Sequence, residues 1–256
     1  MVSDIRNLFP IYVASKGRAT TSKTIPQLPE GGEWCVVLEP QDVESYALPK
    51  KRVLVLPEND RGLAYVRQFI LAHARSENLG WFWMLDDDIS AFYRVVSGRN
   101  LRISLSEALS RAQDIFSKTE DVGQAGLEYQ QFAWSAKKPF TLNSYCDVAV
   151  SIHTQRTLGV QFRQDLQLKV DRDFTLQVLA SGYRTLRTCH IAFAAPENGS
   201  NTGGLSDTYA INGTEANESQ AMVQLWGDTL CETHVKPSGR HDVKVNWKFF
   251  KNTLGG

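Results

Sequence analysis

No Cys-x-x-Cys pair occurs anywhere in the 256 residues, and Cys35, Cys146, Cys189 and Cys231 lie far apart. That spacing excludes zinc ligation by paired thiolates and a redox dithiol. Cys35 and Cys189 lie in strand-like segments and read as reduced core residues. Charge of one sign is also missing: 28 basic residues balance 28 acidic ones, which argues against nucleic-acid binding through overall charge but leaves room for local basic faces. The stretch Met1 to Pro10 lacks the apolar run of a secretion signal, and no segment is a membrane-length apolar run. A cytoplasmic protein with no membrane contact is expected. Asn198-Gly-Ser, Asn212-Gly-Thr and Asn217-Glu-Ser match the glycosylation pattern, and in such a protein they read as turns. There is no internal repeat and no low-complexity tract.

The first third alternates strand and helix signals. Leu8 to Ala14, Trp34 to Leu38, Arg52 to Leu56 and Trp81 to Leu85 are short apolar runs, each of a length and composition that predicts a buried strand. A brief helix fits Gln41 to Leu48. Leu63, Val66, Phe69, Ile70 and Ala74 recur at helical spacing, with Gly80 just beyond. Buried strands alternating with helices imply a mainly parallel sheet, which presents ligands at the carboxyl ends of its strands. Ser15 to Arg18, Glu39, Asn59 and Asp86 to Asp88 all fall at such ends.

Further along, Ser104 and Glu107 have capping-box spacing ahead of the apolar stripe Leu105, Ala108, Leu109, Ala112, Ile115 and Phe116. Thr119 to Pro139 reads as irregular and aromatic, and Cys146 to His153 as a strand. Asp171 to Ser181 reads as a helix closed by Gly182, and Tyr183 to Ala194 as a strand. Pro196 to Gly213, rich in Gly, Asn and Ser, reads as a loop.

Met84-Leu-Asp-Asp-Asp-Ile89 carries the strongest chemical signal. Three carboxylates directly after a buried strand repel one another unless a cation holds them. Residues two apart on an extended segment point the same way, so Asp86 and Asp88 converge on one ion, and oxygen-only ligands suit magnesium or manganese. Such an ion bridges to a diphosphate and neutralises the leaving group. Asp87, facing otherwise, is placed to bond a ribose or sugar hydroxyl. The plain alternative is a solvated acidic turn. A second signal is Val170-Asp-Arg-Asp-Phe174, where Asp171 and Asp173 occupy the first turn of a helix. N-capping explains such residues; a general base for an acceptor hydroxyl also needs a rigid mount of this kind.

An apolar strand ending in Asp-x-Asp, followed by an Asp-x-Asp helix start that closes on Gly-Tyr, resembles the GT-A glycosyltransferases. Members of that fold commonly carry an acidic pair at this helix start; here Val170 stands first and only Asp171 matches. More closely, the chain resembles the TET/JBP-associated glycosyltransferases of bacteriophages, on Ile11-Tyr-Val-Ala-Ser-Lys-Gly-Arg18, Val37-Leu-Glu-Pro40, Leu56-Pro-Glu-Asn-Asp-Arg-Gly62, Trp81 to Ile89 and Asn201-Thr-Gly-Gly-Leu205. The resemblance implies one GT-A α/β domain over 1–256: a mainly parallel, Rossmann-like sheet flanked by helices, and a smaller mixed sheet on the acceptor side. Residues 1–90 would form the nucleotide-sugar half and 91–256 the acceptor half. It implies transfer of a sugar from a nucleotide-sugar, UDP-linked, to a 5-hydroxymethylated pyrimidine in phage DNA, with Mn2+ or Mg2+ on Asp86 and Asp88 and Asp171 as base. Ser15, Arg18 and Glu39 would hold the nucleoside, and Asn59 and Arg67 its sugar or phosphate side. An ordinary exposed helical arginine is the alternative for Arg67. Gly203 and Gly204 would let backbone approach the donor, unless they serve simple loop flexibility. The third metal ligand, often histidine in this fold, would be His190, for which a satisfied core histidine is the alternative.

Near the C-terminus, Val243, Val245 and Trp247 alternate with polar residues and predict a strand with Lys244 and Lys248 on one face. That face would meet donor diphosphate or DNA phosphates; an edge strand protected by lysines is equally consistent. The rival functions are the same chemistry on a glycan, lipid or small molecule, a nucleotidyltransferase, and a non-catalytic module binding DNA or sugar.

Overall fold

A computed structural model describes residues 8–196, 208, 211 and 213–255. Four parallel strands form one half of a ten-stranded sheet: β1 (Ile11–Ala14), β2 (Trp34–Leu38), β3 (Val53–Val55) and β4 (Trp81–Asp86). The runs of β1, β2 and β4 are apolar at nearly every position because both faces are covered, while the edge strand β3 is only half-buried and leaves Val55 exposed. Along β1 and β4 the side chains alternate between two cores. Ile11, Val13, Trp83 and Leu85 pack on one face, and Tyr12, Phe82 and Met84 on the other. Helix α1 (Leu63–Ser76) joins β3 to β4 and buries Ala64, Arg67, Ile70, Leu71 and Ala74. The buried stripe is therefore rotated from the expected one and has an arginine at its centre.

Beyond β4 follow β5 (Ala91–Val96), β6 (Arg99–Ile103), α2 (Leu105–Phe116), β7 (Val122–Tyr129), the single turn α3 (Gln130–Ala133), β8 (Phe140–Leu142) and β9 (Ala149–His153). Then come α4 (Val170–Ala180), β10 (Arg184–Ala194), α5 (Thr214–Trp226), β11 (Cys231–Val235), β12 (His241–Val245) and α6 (Trp247–Leu254). The large sheet runs β3-β2-β1-β4-β9-β7-β10-β5-β6, with β8 on β10; β11 and β12 form a separate antiparallel pair. Ser104 caps α2 as its spacing predicts, its side chain accepting from the Glu107 amide at 3.1 Å, while the Glu107 carboxylate pairs with Arg111 at 2.8 Å.

Several expectations are corrected. Thr119 to Pro139 is not irregular throughout, since it contains β7, an eight-residue central strand. Its Gly123, Gln124, Gly126 and Glu128 conceal it from a search for bulky apolar residues. Small residues are needed there because a Cβ on Gly126 would lie 2.9 Å from Cys146 Cβ. Gly126→Ala should therefore cost about 1–3 kcal/mol by overpacking, read as a lower urea midpoint, and Cys146→Ala in the same chain should recover part of it. Strand β9 starts only at Ala149, whereas the brief helix expected over Gln41 to Leu48 is present as a 3-10 helix over Pro40–Ser45. Asn217 lies inside α5 rather than in a turn. The C-terminal strand ends at Val245, so Lys244 on β12 and Lys248 on α6 do not share a strand face. Gly203 and Gly204 lie outside the described residues, as does most of the loop expected from Pro196 to Gly213.

Candidate active site

Because β1 to β4 are parallel, their carboxyl ends share one rim, and the loop after β1 straps the Asp86–Ile89 turn. Thr24 Oγ1 donates to the Asp86 carbonyl at 2.6 Å and accepts from the Ile89 amide at 2.9 Å. Ser22 Oγ and the Lys23 and Thr24 amides all donate to the Asp87 carbonyl. Every backbone group of the turn thus engaged resists rearrangement. Ser22 and Thr24 were missed from sequence, where nothing distinguishes them from other polar loop residues.

The three aspartates have different fates. Asp87 is buried, with one oxygen on Arg18 Nη1 at 2.5 Å and the other on the Ser15 hydroxyl. That hydroxyl also meets Tyr46 Oη at 2.6 Å. Asp87 therefore braces the loop from within, in place of the expected bond to a ribose or sugar hydroxyl, and Ser15 is engaged with it. Burial pushes its carboxyl up, while Ser15 and Arg18 oppose the shift. Asp86 and Asp88 flank it with side chains 32% and 23% exposed, neither splayed into solvent nor sealed. Asp88 receives Arg18 Nη1 at 3.2 Å, and Asp86 receives Arg67 Nη2 at 3.0 Å. Burial pushes Asp86 up to about 7; Arg67 opposes this, and Asp88, Asp87 and Asp147 add to it.

Arg67, only 2% exposed, is not a surface arginine. It joins the rim turn to helix α4, pairing with Asp86 and also with Asp171. Neither Asp171 nor Asp173 caps the helix. The Glu218 carboxylate takes the amides of Gln167, Leu168 and Lys169 at 3.0, 2.7 and 3.0 Å. Asp173 is fully buried on Arg163, Trp226 and Gln177. Of the two α4 aspartates, Asp171 alone is tied to the rim.

A further group comes from the antiparallel strands. Strand β9 runs against β4, pairing Ala149 with Leu85, so its beginning lies beside the carboxyl end of β4. This brings Asp147 to the rim, hydrogen-bonded by Tyr129 Oη at 2.9 Å. The adjoining Val148 has φ of 61°, a left-handed conformation that a β-branched residue rarely adopts, and its carbonyl accepts from the Asp86 amide at 2.9 Å. Burial raises Asp147, with Tyr129, Arg172 and Arg67 opposing. The Arg172 guanidinium lies 5.1 Å over the Tyr145 ring, which stacks on Trp247 at 6.0 Å. Sequence reading missed all of these, because they do not follow a parallel strand.

Other expected residues are placed as follows. Glu39, buried, pairs with Lys16 at 3.1 Å and accepts from Gln41 at 2.6 Å; Asn59, exposed, accepts from the Gln41 amide. Burial alone would lower Lys16, but Asp60 and Glu39 raise it. His190 is not brought to the aspartates: its Nε2 lies 3.1 Å from the Ala136 carbonyl. Among the described residues no three His, Cys, Asp or Glu side chains gather into a metal-ligand set. A cleft lined by Pro10, Trp34, Arg52, His73 and Glu77 opens at the opposite rim of the sheet.

Arg172 also anchors the small sheet. Asp242 of β12 takes Lys169 at 2.9 Å, Arg172 at 2.6 Å and Lys236 at 2.8 Å. Burial would raise its carboxyl, but Arg172 and then Lys236 and Lys169 hold it far below the usual carboxylate range. Asp242→Asn leaves two largely buried cations without their carboxylate and should cost about 3 kcal/mol in urea unfolding at pH 7. The wild-type advantage should hold down to about pH 4, where the unfolded carboxylate titrates, and fall below that by roughly 1.4 kcal/mol per pH unit.

A family model described as TET-Associated Glycosyltransferase matches residues 9–204. Among solved structures, the chain is similar to glucosyl-3-phosphoglycerate synthase from Mycobacterium tuberculosis in complex with Mg2+ and UDP. The two are 10% identical, with 93% of this chain and 86% of that one covered and a TM-score of 0.52. The same enzyme with Mn2+, UDP-glucose and glycerol 3-phosphate gives 11% identity, 94% and 91% coverage and a TM-score of 0.51. At such identity the likeness shows a shared GT-A fold. No curated protein sequence matches the chain. Among the described residues no helix is long and apolar enough to cross a membrane.

Proposed function

The chain belongs to the TET-Associated Glycosyltransferase family, and from that premise we propose that it moves a sugar from a UDP-linked donor to the hydroxyl of a 5-hydroxymethylated pyrimidine in DNA. Residues 1–90 supply the donor half and 91–256 the acceptor half. The observation that carries the reading is Arg67, which ties the Asp86 end of the rim turn to Asp171 of α4. Donor diphosphate and acceptor hydroxyl need to meet between two such elements.

Asp86 and Asp88 fit a magnesium or manganese ion. They offer oxygen donors alone, keep exposed carboxylate surface on either side of a buried Asp87, and leave further coordination positions to diphosphate and water. Structures of the same fold bound to UDP with Mg2+ or Mn2+ support this choice. When bound, the ion supplies charge neutralisation to the departing diphosphate. The chain's own residues do the rest. Arg18 and Arg67 hold the rim carboxylates in place, Glu39 offers a polar group to the nucleoside, and Asn59 offers one to its sugar or phosphate side. Asp171 accepts the proton of the hydroxymethyl group as its oxygen bonds to the anomeric carbon. The bond from that carbon to the diphosphate oxygen breaks, and the nucleoside diphosphate leaves with the electron pair.

The test is incubation with a panel of UDP-sugars, Mn2+ and either hydroxymethylated or ordinary DNA, followed by nucleoside mass spectrometry. Glycosylated hydroxymethylpyrimidine is the expected product. Sugar transfer only to a glycan, lipid or small molecule would refute the DNA acceptor, and release of pyrophosphate instead of UDP would refute glycosyl transfer.

A further inference from the structure

Two large aromatic side chains project into solvent immediately after the strand that brings Tyr129 to the site. Phe132, in α3, is 57% exposed, and Trp134, just beyond it, is 59% exposed. Scattered single apolar residues on a surface need no explanation. These two lie within three residues of each other on a segment that is otherwise firmly held. Ala133 between them is buried, and the Asn100 side chain donates to the Gln130 carbonyl at 3.1 Å. The Pro139 carbonyl accepts from the amides of Cys189 and His190, and the His190 ring meets the Ala136 carbonyl. The histidine expected to bind metal instead pins this loop to β10. The backbone is fixed and the rings are left outside.

Their surroundings are cationic. Lys137 and Lys138 follow Trp134 after Ser135 and Ala136 and are exposed, and neither forms an ion pair among the described residues. Arg102 is exposed two residues beyond Asn100 on β6 and so shares the face turned toward α3. The neighbouring carboxylate, Glu128, is buried and neutralised by Arg187 at 3.1 Å. A neutral chain thus carries a local basic, aromatic surface. It is continuous with the site: the Phe132 ring stands 6.5 Å from Tyr129 in an edge contact, and Tyr129 Oη bonds Asp147.

We propose that Phe132 and Trp134 form a stacking platform for bases of the acceptor strand, with Lys137, Lys138 and Arg102 meeting its phosphates. This rests on the DNA-acceptor reading above. An enzyme whose target atom lies on a base edge must unstack that base or take it from a single strand, and exposed aromatic faces next to cations compensate for the lost stacking without reading sequence. The cations serve as point charges for the backbone.

The test compares wild-type protein with Phe132→Ala/Trp134→Ala on a hydroxymethylcytosine-containing oligonucleotide, using the UDP-sugar that the panel identifies. The double variant should raise the KM for DNA roughly tenfold to a hundredfold, leaving UDP binding in calorimetry and transfer to a hydroxymethylated mononucleoside unchanged. Trp134→Phe should retain most of the DNA affinity. Lys137→Ala/Lys138→Ala should flatten the slope of log affinity against log salt by about 1.4 to 1.8. A wild-type KM for DNA in the aromatic double variant overturns the platform. So does a change confined to its sedimentation, which would mark a protein contact instead. Wild-type protein that glycosylates no hydroxymethylated DNA overturns the acceptor reading itself, a failure seen before any variant is made.

Discussion

Asp86→Ala and Asp88→Ala should each lower kcat/KM for sugar transfer by roughly a thousandfold or more, and both should abolish the manganese dependence of UDP binding in calorimetry. The magnitude follows from several kcal/mol of charge stabilisation on the departing diphosphate, at 1.36 kcal/mol per tenfold. The fold should survive. The backbone of the turn is held by Ser22 and Thr24 rather than by these side chains, and the brace across the loop is Asp87 with Ser15 and Arg18. Asp87→Ala is the informative contrast: it should damage stability as well as activity, because it strips half-buried Arg18 of its main partner. Asp86→Asn keeps the acceptor for Arg67 while removing the charge, so an inactive Asp86→Asn with unchanged melting separates metal binding from positioning. Undiminished turnover by Asp86→Ala or Asp88→Ala would refute the assignment.

Asp171→Asn should reduce kcat about 10²- to 10⁴-fold, the range for a lost general base, with the donor KM and metal binding little changed. Two other carboxylates near this helix are already committed elsewhere. Asp173 is sealed behind Arg163 and Trp226, and Glu218 is consumed by three amides of the loop before α4. That loop is thereby fixed without help from Asp171, whose loss should not unfold the helix. Asp147 is the competitor, half-buried at the same rim beneath Tyr129. Full activity in Asp171→Asn together with loss in Asp147→Asn would move the base to Asp147. The two variants read the question directly, because each replacement is isosteric and leaves Arg67 or Tyr129 a partner.

The two halves of the chain were legible to different degrees. In β1 to β4 the signal is local: continuous apolar runs, each followed by a polar cluster. A parallel sheet makes that order sufficient to place Ser15, Arg18, Glu39, Asn59 and the three aspartates on one rim. The buried stripe of α1 lies one position along from the stripe of its bulkiest apolar residues. Ala64, Arg67, Ile70 and Ala74 have equally good helical spacing, and an arginine at the centre of such a stripe was a visible sign of a buried ion pair. Strand β7 could not be read that way, since Gly126 admits Cys146, 20 residues away in sequence, and Gly123 packs against Val178 and Tyr183, more than 50 residues away.

By itself, then, the sequence determined the alternating first half, the acidic rim and the helix that carries Asp171, because each depends on residues within one turn or one strand of each other. Only tertiary structure decided that Arg67 lies between Asp86 and Asp171, that Asp87 faces inward, and that His190 secures a loop. It also decided that Asp147 arrives from a strand running the opposite way. Each of these is settled by pairing between segments tens of residues apart, where strand direction and burial, not local composition, choose the partner.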